Sequence, residues 1–277
     1  LGMPWDGVSY KISGINHMAW LLEISRNGED LYPIIRKRAQ EGPIYAPTLA
    51  LRELHPEYAD RIPSVAEQFT PDNHHDMVRF EIMKQFGYFV TESSEHSSEY
   101  YPWFIKKDHP ELIDRFHIPL DEYPRRCRDQ IARWKQQAEH LVHNENLTHT
   151  RSSEYAAGII EALETGRTFG FAGNVLNTGL IDNLPFDACV EVSCMVNEGH
   201  LSPCHMGPLP NQLAALNRRQ IEVHQLTVDA ALTRKKEYIY QAAMLDPHAG
   251  SELTIDEIRS LVDDLIQAHG DWLPEYH

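Results

Sequence analysis

Cysteine is scarce: Cys127, Cys189, Cys194 and Cys204 are the four in 277 residues. None belongs to a Cys-x-x-Cys pair, which excludes a thiolate zinc knuckle and a thioredoxin-like redox motif. Four scattered thiols in a chain this long read as buried, reduced cysteines of a cytosolic protein, not as a disulfide framework. Long apolar runs are missing too. No stretch approaches the ~20 consecutive apolar residues of a membrane helix. The opening LGMPWDGVSY has no basic start followed by a small-residue cleavage site, so no secretory signal is expected and a cytoplasmic location is the default. No glycine-rich phosphate loop occurs, so no Rossmann fingerprint binds a nucleotide within this chain. Basic residues are outnumbered, 25 Lys and Arg against 41 Asp and Glu, for a formal charge of −16. Such a surface repels phosphate backbones, which argues against nucleic acid and anionic membrane as partners.

What is present is ordinary globular composition, 42% hydrophobic and 24% charged, with neither an internal repeat nor a low-complexity tract. Residues 8 to 24 alternate and then run apolar, which predicts a strand or pair of strands entering a core. Residues 42 to 76, punctuated by Pro43, Pro47, Pro56, Pro63 and Pro71, predict short turns and surface loops. MVRFEIMKQF from Met77 predicts a helix stopped by a left-handed Gly87, with YFVT as a short strand after it. A helix over 121–143 carries Tyr123, Cys127, Ile131 and Trp134 on one side. Ser152 or Ser153 is the expected cap of the next helix, where Tyr155, Ile159 and Leu163 recur before Gly166. ACVEVSCMV, 188 to 196, alternates as a half-buried strand with Ala188, Val190, Val192, Cys194 and Val196 on one face. Residues 211–245 read as one long helix or two. Thr254 with Glu257 forms a capping box ahead of Ile258, Leu261, Val262 and Leu265. Helices segregated from a modest antiparallel sheet make an α+β domain.

Three places carry candidate chemistry. In SGINHMAW, Asn16 and His17 interrupt an apolar segment. Taken alone, a histidine there is more often a buried ring with one hydrogen-bond partner than a metal ligand, and Asn16 has an equally plain reading as a turn cap. In TESSEHSSEYYPWF, Glu92, Glu95, His96, Glu99, Tyr100 and Tyr101 cluster after a strand, as groups in sites on rigid scaffolds do. From composition alone a solvated acidic loop explains them as well. NHHD at 73–76 and PCH at 203–205 lack zinc-ligand spacing. Arg125 and Arg126 could hold a carboxylate or phosphate, but paired arginines at a helix start are usually surface ion pairs. These residues by themselves do not define a reaction.

GINHMAW, the run GYFVTESSEHSSEYYPWFIK, LDEYPRRC, GLIDNLP, GPLP and the closing DEIRSLVDDLIQAHGDWLP together resemble the family 4 glycoside hydrolases, nearest to their α-galactosidases that hydrolyse melibiose. The match runs through nearly the whole chain and is weakest over 45–72. The resemblance implies an α+β domain similar to the lactate dehydrogenase C-terminal domain, with a mixed or antiparallel sheet and packed helices. Residues 1–277 would be the C-terminal catalytic domain, the N-terminal NAD-binding Rossmann domain being absent from this chain. It implies hydrolysis assisted by a cofactor, an exception to two-carboxylate glycosidase chemistry. NAD+ takes hydride from C3 of the sugar, a base removes the C2 proton, the aglycone leaves by elimination, and water adds before the hydride returns. A divalent metal, usually Mn2+, stabilises the enolate.

The resemblance makes His17 a metal ligand and Asn16 an orienting or sugar-binding residue. None of the four cysteines matches the family's metal-binding cysteine, and the isolated chain is expected to be inactive. Relatives place a tyrosine or aspartate base near TESSEHSS, where this chain has Ser93 and Ser94, poor bases unless activated. Glu92, Glu95 and His96 are then the candidates for the base or for sugar contacts. The same resemblance leaves α-glucosidase and α-glucuronidase open as alternatives. A non-catalytic sugar-binding or dimerisation module is the reading from another class, while a lactate-dehydrogenase-like oxidoreductase shares the architecture but not the motifs. Dimers or tetramers are expected by family analogy.

Overall fold

A computed structural model describes residues 1, 3, 6–45, 68–143 and 154–277. Val8–Ser13 (β1) and Trp20–Arg26 (β2) form the strand pair that the 8–24 pattern predicts, antiparallel, with a bulge between Lys11 and Ile12. Glu29–Asp30 (β3) pairs with the far end of β2. Tyr32–Glu41 (α1) follows, and Ile44–Tyr45 (β4) pairs with Gln68–Phe69 (β5) as a separate ladder. Pro47, Pro56 and Pro63 lie outside the described residues.

Met77–Phe86 (α2) ends where expected, because Gly87 takes φ 85°, a left-handed conformation that glycine adopts without steric cost. Phe89–Val90 (β6) then joins the start of β2, setting Trp20 opposite Val90. The chain turns at once into Ser94–Tyr100 (α3), capped by the Ser93 hydroxyl, which accepts from His96 N. Glu111–Arg115 (α4) and Glu122–His143 (α5) come next.

One expectation holds and one is corrected here. The apolar stripe of α5 faces solvent, with Tyr123 75%, Ile131 63% and Trp134 59% exposed and no residue of the helix buried. Its first turns meet the body through ions, Arg126 reaching Glu95 at 2.8 Å. The buried-thiol expectation holds for Cys194 alone, Cys127 and Cys204 being half-buried and Cys189 exposed. Cys189 falls on the outward positions of its strand, so the two-residue period turns it to water.

Tyr155–Thr165 (α6) stops at a left-handed Gly166. Ser152 and Ser153 lie outside the described residues, and Glu154 at the helix start makes no side-chain cap. The helix buries Gly158 and Ala162, not Tyr155 or Leu163. A Cβ on Gly158 would lie 2.6 Å from the Phe169 ring, so close helix–strand packing selects the smallest residues.

Phe169–Leu176 (β7), Cys189–Asn197 (β8) and His200–Pro203 (β9) form an antiparallel meander. β8 alternates as its sequence predicts, with Ala188, Val190, Val192, Cys194 and Val196 all buried. These side chains join Ile15, Trp20, Ile82, Val90 and Leu213 in the core, each fully buried one worth roughly 1.5–3 kcal/mol. Residues 211–245 resolve into two helices, Asn211–Thr233 (α7) and Lys236–Leu245 (α8), broken at Arg234, whose φ is 63°. After Ala249–Glu252 (α9), the capping box of Thr254 and Glu257 opens Ile255–His269 (α10), which buries Ile258 and Val262. The α+β reading with antiparallel sheets holds. Among the described residues no helix is long and apolar enough to cross a membrane.

One side chain ties the far helix to the candidate turn. Asn217 on α7 is fully buried, donates to Met18 O at 2.9 Å and accepts from Trp20 Nε1 at 3.3 Å. Asn217→Ala strands both partners in the core and is expected to cost roughly 2–4 kcal/mol, read as a lowered denaturation midpoint with an unchanged slope.

Candidate functional site

The Gly14–Met18 turn between β1 and β2 is the foundation of the site. Gly14 bridges to Glu191 on β8, its N–H donating to Glu191 O at 3.1 Å and its carbonyl accepting from Glu191 N at 2.8 Å. With φ 153°, and with Ala19 Cα 2.7 Å from where a Cβ would stand, only glycine fits there. Met18 N closes the turn onto Ile15 O. Ile15 and Met18 are buried, so the turn presents Asn16 and His17 outward.

His17 adopts φ 64°, a left-handed conformation that costs a non-glycine residue of order 1–3 kcal/mol and is concentrated at functional sites. Both ring nitrogens have partners. Nδ1 lies 2.9 Å from Tyr100 Oη, and Nε2 lies 3.4 Å from Glu92 Oε2. The His96 ring stacks over it, 5.3 Å between centroids and 9° from parallel. β2 and β6 bring Glu92 here, and one turn of α3 separates His96 from Tyr100 so that both face the same way.

The candidate residues divide. His17, Glu92 and His96 converge. Glu92 Oε1 accepts from Ser93 N at 2.7 Å, which leaves Oε2 aimed at the imidazole. Asn16 is exposed on the turn and donates to Glu191 Oε2 at 3.4 Å. Glu95 turns away, bound to Arg126, which also holds Glu122 at 2.9 Å. Ser93 caps α3, and Ser94 is buried with its hydroxyl accepting from Arg79 N at 3.4 Å. Arg125 pairs with Glu122 and Asp129, the surface ion pairing expected of it.

Three side chains here have displaced titrations. His96 is raised, first by its hydrogen bond to Glu99 at 2.9 Å, against burial, with the charges of Glu99, Glu92 and Glu95 adding to the rise. Burial raises Tyr100, reinforced by Glu99 and Glu92, so the phenol keeps its proton and serves His17 as a hydrogen-bonding partner. Glu191 is raised by burial, opposed by the Asn16 amide.

Glu191, Tyr100 and Arg79 play larger parts than local sequence indicates. Arg79 donates to Val90 O at 3.2 Å, Thr91 O at 3.0 Å and Asp76 Oδ1 at 3.0 Å, and lies over the Phe89 ring, fixing the segment that leads to Glu92. A lone carboxylate inside an otherwise apolar and small-residue strand was the available signal for Glu191.

Chemically, the turn offers an imidazole nitrogen beside a carboxylate oxygen, donor types that suit Mn2+ and similar divalent ions. The second imidazole nitrogen is occupied by Tyr100, the outer-shell partner that fixes a ligand ring. Among the described residues no group of three or more His, Cys, Asp or Glu is placed to hold a metal alone. The donor set therefore fits a metal whose remaining ligands come from elsewhere.

A family model, the family 4 glycosyl hydrolase C-terminal domain, matches residues 12–249. The chain is 54% identical over 276 residues to an α-galactosidase of Bacillus subtilis strain 168, covering 100% of this chain and 58% of that one. It is 25% identical over 272 residues to an α-galacturonidase of Lachnoclostridium phytofermentans, covering 98% and 55% respectively. Among solved structures, a 6-phospho-α-glucosidase from gut microorganisms in complex with NAD and Mn2+ superposes with a TM-score of 0.65 at 19% identity, over 99% of this chain and 58% of that one. The chain thus spans about half the length of the relatives it matches. With its motifs, its antiparallel α+β fold and a family model covering most of its length in agreement, the chain belongs to glycosyl hydrolase family 4 and corresponds to the C-terminal domain of that family.

Proposed function

We propose that these residues form the sugar- and metal-binding part of an NAD-dependent α-galactosidase. The observation that carries the reading is the outward His17 imidazole, held by Tyr100 on one nitrogen and facing Glu92 on the other. The 54% identity to an α-galactosidase favours galactosides over the other sugars the family handles. The reading places the nucleotide-binding domain outside these 277 residues, supported by the share of each relative that the chain spans. It also takes the assembly to be a cytoplasmic dimer or tetramer, for which the exposed apolar stripe of α5 offers a surface.

In this reading His17 Nε2 holds a divalent cation, Mn2+ by preference, which supplies Lewis-acid polarisation of sugar oxygens when bound. Tyr100 fixes the ring so that Nε2 is the nitrogen presented. Glu92, which has no lysine or arginine within ion-pair distance among the described residues, stands beside the bound sugar and is the base that takes its C2 proton. The Asn16 carboxamide, exposed on the same turn, orients a sugar hydroxyl. His96 packs on His17 and excludes water from one face of the ring. Glu95 keeps α5 attached through Arg126 and takes no part in the proton transfer.

The metal assignment is read from Mn2+ titrations of an enzyme that includes the nucleotide-binding part, by calorimetry or electron paramagnetic resonance. His17→Ala is expected to weaken binding at least tenfold. Tyr100→Phe is expected to weaken it by about 10–100-fold, the usual consequence of losing an outer-shell partner. Equal affinities in wild type and His17→Ala would leave the sugar-binding-module reading in its place.

Two activity measurements complete the test. The purified 277-residue polypeptide, given NAD+ and Mn2+, should show no turnover of an aryl α-galactoside. In an enzyme that includes the nucleotide-binding part, Glu92→Gln should slow solvent deuterium exchange at C2 by about 10²–10⁴-fold, the usual worth of a general base. Normal exchange in that variant would remove Glu92 from the role.

A further inference from the structure

Glu92 lies in the short link between β6 and α3, and one residue outside that link holds the chain on both sides of it. Arg79, in the first turn of α2, donates from Nε to Val90 O at 3.2 Å and from Nη2 to Thr91 O at 3.0 Å. Its own backbone N–H donates to Ser94 Oγ at 3.4 Å. Successive peptide groups of an extended strand alternate in direction, so one guanidinium reaching two successive carbonyls requires the chain to bend at Thr91. Ala19 O holds the other side of the bend, accepting from Thr91 N at 3.0 Å and from Thr91 Oγ1 at 3.2 Å. The bend carries Glu92 out of the ladder and over the Gly14–Met18 turn, where its Oε2 lies 3.4 Å from His17 Nε2. The Arg79 side chain is only 19% exposed, and its guanidinium carbon sits 4.2 Å from the centre of the Phe89 ring. Its remaining edge donates to Asp76 Oδ1 at 3.0 Å, so its charge is met by a carboxylate other than Glu92. What Arg79 gives Glu92 is therefore a place, not a counter-charge.

We infer that Arg79 is a positioning residue for removal of the C2 proton: its guanidinium fork sets where the Glu92 carboxylate stands beside His17. This role rests on Glu92 being the base and adds the residue that aims it. The planar fork of arginine is organised in advance for two acceptors, whereas a lysine ammonium is a flexible point donor. Arg79→Lys thus keeps the charge and loses the simultaneous grip on Val90 O and Thr91 O. Proton transfer depends steeply on the placement of the base, since a shift of ~1 Å can cost ~10²-fold in rate. Metal binding by the His17 ring does not pass through Arg79, because Tyr100 fixes that ring and Gly14 and Asn217 fix the turn beneath it.

The test is a double-mutant cycle of Arg79→Lys and Glu92→Gln in an enzyme that includes the nucleotide-binding part, read as solvent deuterium exchange at C2 together with Mn2+ affinity. Arg79→Lys alone should slow exchange by about tenfold or more. Mn2+ affinity and the KM for an aryl α-galactoside should stay within about twofold, the pattern of a loss confined to the transition state. In the Glu92→Gln background the same change should slow exchange no further, because no base is left to misplace. Equal slowing in both backgrounds, unchanged exchange in Arg79→Lys, or a matching fall in Mn2+ affinity overturns the role. If Arg79→Lys does not fold, Asp76→Asn unties the guanidinium from its anchoring carboxylate and takes its place in the cycle. It should slow exchange in the wild-type background and not in the Glu92→Gln background, and any other result overturns the role. Normal exchange in Glu92→Gln alone would remove the base itself, whereas a slowed Glu92→Gln with additive slowing by Arg79→Lys removes Arg79 alone.

Discussion

The double hydrogen bond between Gly14 and Glu191 is the contact on which the candidate site depends. It is a two-bond bridge between residues 177 positions apart, and it fastens the β1–β2 turn to the β7–β8–β9 sheet. Asn217 secures the other end of that turn from α7. Held at both ends, the chain can keep His17 in a left-handed conformation that it would leave if the turn were free. Backbone strain of this kind survives only where the surroundings over-determine it. The buried Ile15 and Met18 contribute on the inner side, so the turn is anchored by apolar burial below and by hydrogen bonds at either end. This also explains why an apolar segment contains two polar residues: the segment is a turn, and its alternation reports which side chains point into the core.

Much of this architecture was legible in local patterns. The period of β8, the Gly87 and Gly166 stops and the Thr254–Glu257 box all act within a few residues, where sequence spacing and geometry coincide. His17, Glu92 and His96 were legible as candidates because their segments combine polar groups with apolar flanks, and the fold does bring these three together. Glu191 and Asn217 were not. Each matters through a partner more than 170 residues away, and nothing in the strand period or the helix period records such a pairing.

α5 shows the complementary limit. Tyr123, Cys127, Ile131 and Trp134 do share a helix face, as their spacing says, yet that face meets solvent. Periodicity reports that a helix has an apolar side without reporting what covers it. The helix is joined to the site by a charge instead: Arg126 on its second turn grips Glu95 on α3, the helix that carries His96 and Tyr100. Glu95 is thereby committed to structure in this arrangement, and Glu92 is left as the carboxylate that faces the ring.

The electrostatics of the site follow from the same division. An excess of acidic residues pervades the chain, but near His17 it is sorted by partner. Glu95 is paired with Arg126 and Glu99 with His96, while Glu92 faces the His17 ring and Glu191 accepts from Asn16. Uncompensated carboxylates in a partly buried place are costly, and burial raises Glu191 accordingly. A fold keeps such groups where a cation or a hydroxyl-rich ligand supplies the missing partner. Two carboxylates placed beside one imidazole would thus draw a cation or a hydroxyl donor to the turn, so the acidity around His17 and the role proposed for it have a single physical origin.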